Sequence, residues 1–235
     1  MQPTNRDARV AGWLYLLMGV AGPFYLLYLP RTLIVPGNPA ATASNVLGHE
    51  MLFRVGIVAL LASSFLFILV ALALYRLLAG VNKMHATLMV ILVAVSVAVA
   101  FLNEVNNVAA LTLFRGADFL STFDKPQRDA LGMLFLRMHS QGLIVDQIFW
   151  GLWLFPFGYL VLRSGFLPRI LGILLIVNCF AYLAASFTAL LWPSYANIVF
   201  NASLPALLGE LWIMLWLLIK GVKTQETPTA AYAPG

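Results

Sequence analysis

Val55-GIVALLASSFLFILVALAL-Tyr75 carries no charged residue and is bounded by Arg54 and Arg76. Coiled as an α-helix at ~1.5 Å per residue it measures ~30 Å, which is the thickness of a bilayer's hydrocarbon core. The rest of the chain has the same character. Of 235 residues 62% are hydrophobic and 10% charged, where a soluble domain has about 45–50% and 25%. Too few polar residues remain to cover a water-facing surface, so the apolar excess has to face lipid. The fold class expected is all-α, an integral membrane bundle.

Hydropathy places six membrane segments near 11–29, 53–78, 86–113, 130–162, 168–191 and 199–219. Segments two, three and four are longer than the core is thick, so they should tilt or project beyond it. The first follows Arg6 and Arg9 as a signal peptide would, but no small-residue cleavage site ends it and Phe24, Tyr25 and Tyr28 continue the run; it is read as a helix. Residues 1–223 then form a single six-helix domain, and 224–235, rich in Ala, Pro and Thr, form a disordered cytoplasmic tail.

The net charge of +5 is dispersed between apolar segments rather than gathered on one face, which excludes a nucleic-acid surface and leaves membrane lipids as partners. On the side of the termini stand Arg6, Arg9, Arg76, Lys83, Arg163, Arg169, Lys220 and Lys223; on the other stand Arg31, Arg54, Arg115, Lys125, Arg128 and Arg137. The excess of basic residues near helix ends favours both termini in the cytoplasm. Trp192 and Tyr195 suit an interfacial aromatic belt at the opposite side. The single cysteine, Cys179, lies in an apolar run and is read as packing.

Ionisable residues inside the membrane cost about 2.5–3.5 kcal/mol or more at its centre unless paired or hydrated, so they mark the candidate sites. Counting from the cytoplasmic helix ends puts Glu104 ~28 Å and Asp146 ~25 Å deep, so the two are expected to share a level near the outer boundary. There they would meet His139, Asn107, Gln147 and Arg54 in a polar pocket that opens away from the cytoplasm and binds a ligand. His139 and Asp146, seven apart, fall on one helix face; Asn103 and Asn107 do so at the i, i+4 spacing. Each has a plainer reading. The asparagines also suit interhelical hydrogen bonds, Arg54 a structural ion pair, and His139 a hydrated interface.

A second polar layer is expected ~14–15 Å deep, where Glu210 and Asn178 could meet. No basic residue on its own helix can neutralise Glu210, so it is expected to face the interior as a neutral acid hydrogen-bonded to Asn178, serving either as glue or as a proton site.

Several separated stretches point to a family. Arg9–Leu16 (RVAGWLYL), Gln147–Gly158 (QIFWGLWLFPFG), Arg163–Gly172 (RSGFLPRILG) and the ending Gly209-Glu210 through Trp216–Val222 (WLLIKGV) resemble, in that order, the bacterial multi-pass family catalogued as domain of unknown function 4386. The resemblance spans nearly the whole chain and implies a bacterial cytoplasmic membrane. It implies no activity, and His49 departs from the family's pattern.

Three functions remain open on the sequence: a small-molecule carrier or ligand-binding membrane protein, a structural or accessory subunit without chemistry, and an intramembrane hydrolase. No Gly-Xaa-Ser-Xaa-Gly, His-Glu-Xaa-Xaa-His or phosphate-loop motif occurs, and a metal site would need more histidines than the one, His139, that is well placed. A non-enzymatic role with no metal and no cofactor is the expectation.

Overall fold

The computed structural model describes residues 4–222, apart from the side chain of Leu207; the expected tail at 224–235 lies outside the described residues. The described residues are helical nearly throughout, with no strand among them. Among them six helices are long and apolar enough to cross a membrane: Asn5–Leu33, Glu50–Leu78, Lys83–Arg115, Lys125–Ser164, Arg169–Leu191 and Pro193–Ile219. Large apolar side chains such as Val58, Leu102 and Trp212 point outward from the bundle, as they do where the solvent is lipid.

The first span is α1 (Asn5–Pro23), a π-helical turn (Phe24–Tyr28) and the short α2 (Leu29–Leu33). Pro23 and Pro30 lack N–H groups, so the carbonyls of Gly19 and Leu26 lose their i+4 partners and the helix widens between them. After α3 (Pro39–Gly48) come α4 (Glu50–Leu78) and α5 (Lys83–Arg115), the second and third spans. Asn82 caps the start of α5 through its side chain, and Gly116 ends that helix at φ 69°, a left-handed conformation that glycine adopts without strain.

The fourth span is broken into α6 (Lys125–Leu152) and α7 (Leu154–Ser164). Pro156 is responsible: its ring clashes with the carbonyl four residues back, at Leu152, where α6 ends. A capping box of Asp124 and Gln127 starts α6. The fifth and sixth spans are α8 (Arg169–Leu191) and α9 (Ala196–Ile219).

Each span packs against its neighbours in sequence, and α9 returns to α1, so the six form a closed up-and-down ring. At the end that carries Asn5 and Ile219, here the terminal end, the ring is filled by Ala11, Leu74, Met89, Trp153, Phe157, Leu175 and Leu217 among others. Trp153 forms the upper surface of this plug, edge-on to Phe67 at 5.0 Å and stacked on Phe157 at 5.4 Å between ring centroids. At the other end, here the α3 end, Leu29, Leu33, Phe53, Leu111, Phe114 and Leu136 make a second plug, onto which α3 lays Ala43 and Val46. The polar residues lie between the two plugs.

Candidate functional site

Two adjoining cavities occupy the space between the plugs. The upper, of about 80 Å³, is lined by Glu104, Asn107, His139 and Ser140 beneath Leu33 and Phe53. The lower, of about 230 Å³, is lined by Ser63, Ser96, Asp146, Trp150, Trp153, Tyr182 and Glu210. Tyr25, Leu26, Leu60 and Leu143 line both and form the partition between them.

In the upper cavity α5 and α6 supply the polar groups. His139 Nε2 stands 2.6 Å from Glu104 Oε1, and Asn107 Nδ2 donates to Glu104 Oε2 at 3.0 Å. Asn103 Nδ2 donates to the His139 carbonyl at 2.9 Å. That bond requires the helices to be close, and Gly142 allows it: a Cβ there would sit 2.1 Å from Asn103 Oδ1. Here Asn103 ties α5 to α6, while Asn107, one turn along the same helix, fixes the Glu104 carboxyl group that meets His139 across the interface.

In the lower cavity the buried Asp146 accepts from Ser96 Oγ at 2.7 Å and from Trp150 Nε1 at 3.1 Å. Glu210 accepts from Tyr15 Oη and, at 3.0 Å, from Asn178 Nδ2. The sequence expectation that Glu210 meets Asn178 inside the bundle corresponds to this contact; Tyr15, on the facing α1, is an addition. Among the described residues every donor to these two acids is uncharged. Tyr25, in the π-helical turn, donates to Ser63 Oγ at 3.3 Å, and Ser63 Oγ donates to the Met18 carbonyl at 3.0 Å.

Two expected placements need correction. Glu104 and Asp146 do not share a level: Asp146 bonds Ser96, two helical turns from Glu104 along α5, or ~12 Å at ~1.5 Å per residue. Counting back from Arg163 takes that residue as level with the start of α5, but His85, near that start, stacks on Tyr159, one turn before Arg163, at 4.2 Å between ring centroids. Arg54 does not join the cluster either. It bonds Glu50 one turn earlier, at 2.8 Å, with Arg115 3.6 Å from the same carboxylate oxygen, and is half-exposed at the α3 end. Gln147 is partly buried and is not among the residues lining the two cavities.

Tyr15, Tyr25, Ser96, Trp150 and Tyr182 were not singled out on sequence. Residues that combine an apolar body with one polar atom are ordinary in membrane helices, and only the fold shows that these five converge. For Tyr25 a local signal exists, the Gly22-Pro23 pair that precedes the widened turn.

Residues 10–221 match the family described as Domain of unknown function (DUF4386). The chain belongs to that family. Neither the curated proteins nor the solved structures contain a match. The DUF4386 match covers all six spans except the first residues of α1, so both cavities and all three interior acids lie within the family's domain.

Proposed function

We propose that this DUF4386 protein binds a small molecule between its two apolar plugs, as a carrier or a ligand-binding membrane protein. The observation that carries the reading is a pair of adjoining cavities inside the helical ring with Glu104, Asp146 and Glu210 on their walls. Acids in such a place are costly, and a purely structural bundle gains more by filling the space with apolar side chains. The lower cavity, at about 230 Å³, exceeds the ~150 Å³ that suffices for benzene. The mixture of a mostly apolar wall with a few convergent polar groups is that of small-molecule sites in general.

The distribution of Lys and Arg supports a cytoplasmic position for both termini, in a bacterial cytoplasmic membrane. In that orientation the Glu104–His139 cavity lies toward the outer face, and the larger plug around Trp153 and Phe157 separates the cavities from the cytoplasm.

Ala100 lines the lower cavity, so Ala100→Phe fills it. Native mass spectrometry of protein purified from its membrane should show a small-molecule adduct on the wild type that is lost in Ala100→Phe, with the variant equally stable to heat. Identical adduct patterns in the two proteins, or no adduct on either, would refute the reading.

A further inference from the structure

We infer that the ligand is a lipophilic amine, one ammonium group on an apolar chain, and that it reaches the lower cavity sideways from the bilayer through a gap between α1 and α9. This rests on the cavity being a binding site and adds the ligand's charge and its route.

The charge follows from what lines the cavity. Asp146 and Glu210 face it, and the lining residues include no Arg, Lys or His. The groups that donate to the two acids are a serine, a tryptophan, a tyrosine and an asparagine. In a medium of low dielectric constant a cation is the partner this wall lacks, whereas an anion would meet two acids and no positive charge. Tyr25, Trp150, Trp153 and Tyr182 line the same cavity, and aromatic rings are favourable neighbours for ammonium groups. An ammonium carries several N–H donors, so one such group can bond a carboxylate and still point further N–H groups at the cavity wall.

The route follows from the glycines of α1. Helices in membranes use glycine to approach closely, and Gly12 does so: a Cβ there would lie 2.9 Å from the backbone nitrogen of Leu218 on α9. Gly19 and Gly22, two and three turns further on, have no atom within 4 Å of the Cβ position. The missing side chains leave an opening instead of a contact. A surface groove of about 530 Å³ runs there between α1 and α9, walled by Val20, Leu211 and Met214. It shares Met18, Gly19, Tyr182 and Glu210 with the lower cavity. Val20 is 68% exposed on this face, where lipid chains would lie. Glu210 thus stands at the junction of groove and cavity, placed to hold an ammonium whose chain lies between α1 and α9.

The test is equilibrium binding of radiolabelled dodecylamine, 1-dodecanol and dodecanoate to the full chain in nanodiscs of zwitterionic lipid, with empty nanodiscs subtracted. Dodecylamine should bind saturably and the alcohol and carboxylate should not. Glu210→Gln and Asp146→Asn, which keep shape but cannot carry a negative charge opposite an ammonium, should each weaken amine binding at least about tenfold. Gly19→Leu, at a position with room for a side chain, should abolish saturable binding while thermal stability is retained. Saturable dodecanol or dodecanoate binding equal to that of the amine overturns the inferred charge but leaves the cavity's role standing. Unchanged amine binding in Gly19→Leu overturns the route. Absence of saturable amine binding overturns the inference whole, and the adduct lost on filling the cavity at Ala100 then decides the broader reading separately.

Discussion

Replacing Glu210 by leucine removes the acceptor for two donors that reach it from different helices, Tyr15 Oη on α1 and Asn178 Nδ2 on α8. Asn178 is fully buried and Tyr15 nearly so. An interhelical hydrogen bond in a bilayer is worth about 0.6–2 kcal/mol, so Glu210→Leu should destabilise the bundle by about 1–4 kcal/mol. Glu210→Gln is different. Its carbonyl oxygen can still accept from Asn178, and its amide can donate to Tyr15 once the hydroxyl turns to accept, so the cost should be under about 1 kcal/mol. Reversible unfolding in bicelles, read by steric trapping, gives both values on one scale. A Gln variant as unstable as the Leu variant would refute this reasoning, because it would mean that a full carboxyl group, and not merely a pair of hydrogen bonds, joins α1, α8 and α9.

Further outcomes follow from the same geometry. Gly142→Leu drives a side chain into Asn103 and should cost about 1–3 kcal/mol by overpacking; Gly19→Ala, with open space around it, should be neutral or stabilising by up to about 1 kcal/mol, and thermal melts in detergent compare the two. A double-mutant cycle over Glu104→Gln and His139→Ala should give a coupling energy of about 0.5–3 kcal/mol, whereas the pair Arg54→Ala with Glu104→Gln should give none, since Arg54 bonds Glu50. A reporter fused at the C-terminus should be active only as a cytoplasmic fusion and one inserted beside Asp124 only as an external one; an external C-terminus would overturn the proposed orientation.

The spans were legible because charge marks their ends: Arg54 and Arg76 bracket an uncharged run that lies within the observed Glu50–Leu78 helix. The ten-residue α3 was not, since a short helix with Ala and Thr on its buried side gives no hydropathy signal and gains its place only by covering the plug below it. Depth was legible where the two counts start from the same level. Glu210 and Asn178, each counted along an unbroken stretch, do meet. Asp146 was misplaced because its count began at Arg163, a full turn beyond Tyr159, the residue that stands level with His85 at the start of α5. Arg54 shows the local signal outweighing the distant one: Glu50 stands one helical turn before it, at the i, i+4 spacing of a surface ion pair, and that neighbour wins over acids on other helices. The tyrosines around the lower cavity escaped notice because one hydroxyl in an apolar helix carries no pattern until a carboxyl group faces it.

The central claim is that the space beside Asp146 and Glu210 holds a ligand. An electron cryomicroscopy map of the protein purified from its own membrane, with an antibody fragment to add mass, looks at that space directly. The expected result is non-protein density between Asp146, Trp150 and Tyr182, extending past Glu210 toward the α1–α9 groove. A map in which Tyr25, Trp150 and Tyr182 collapse onto one another and leave no room between the two plugs would contradict it.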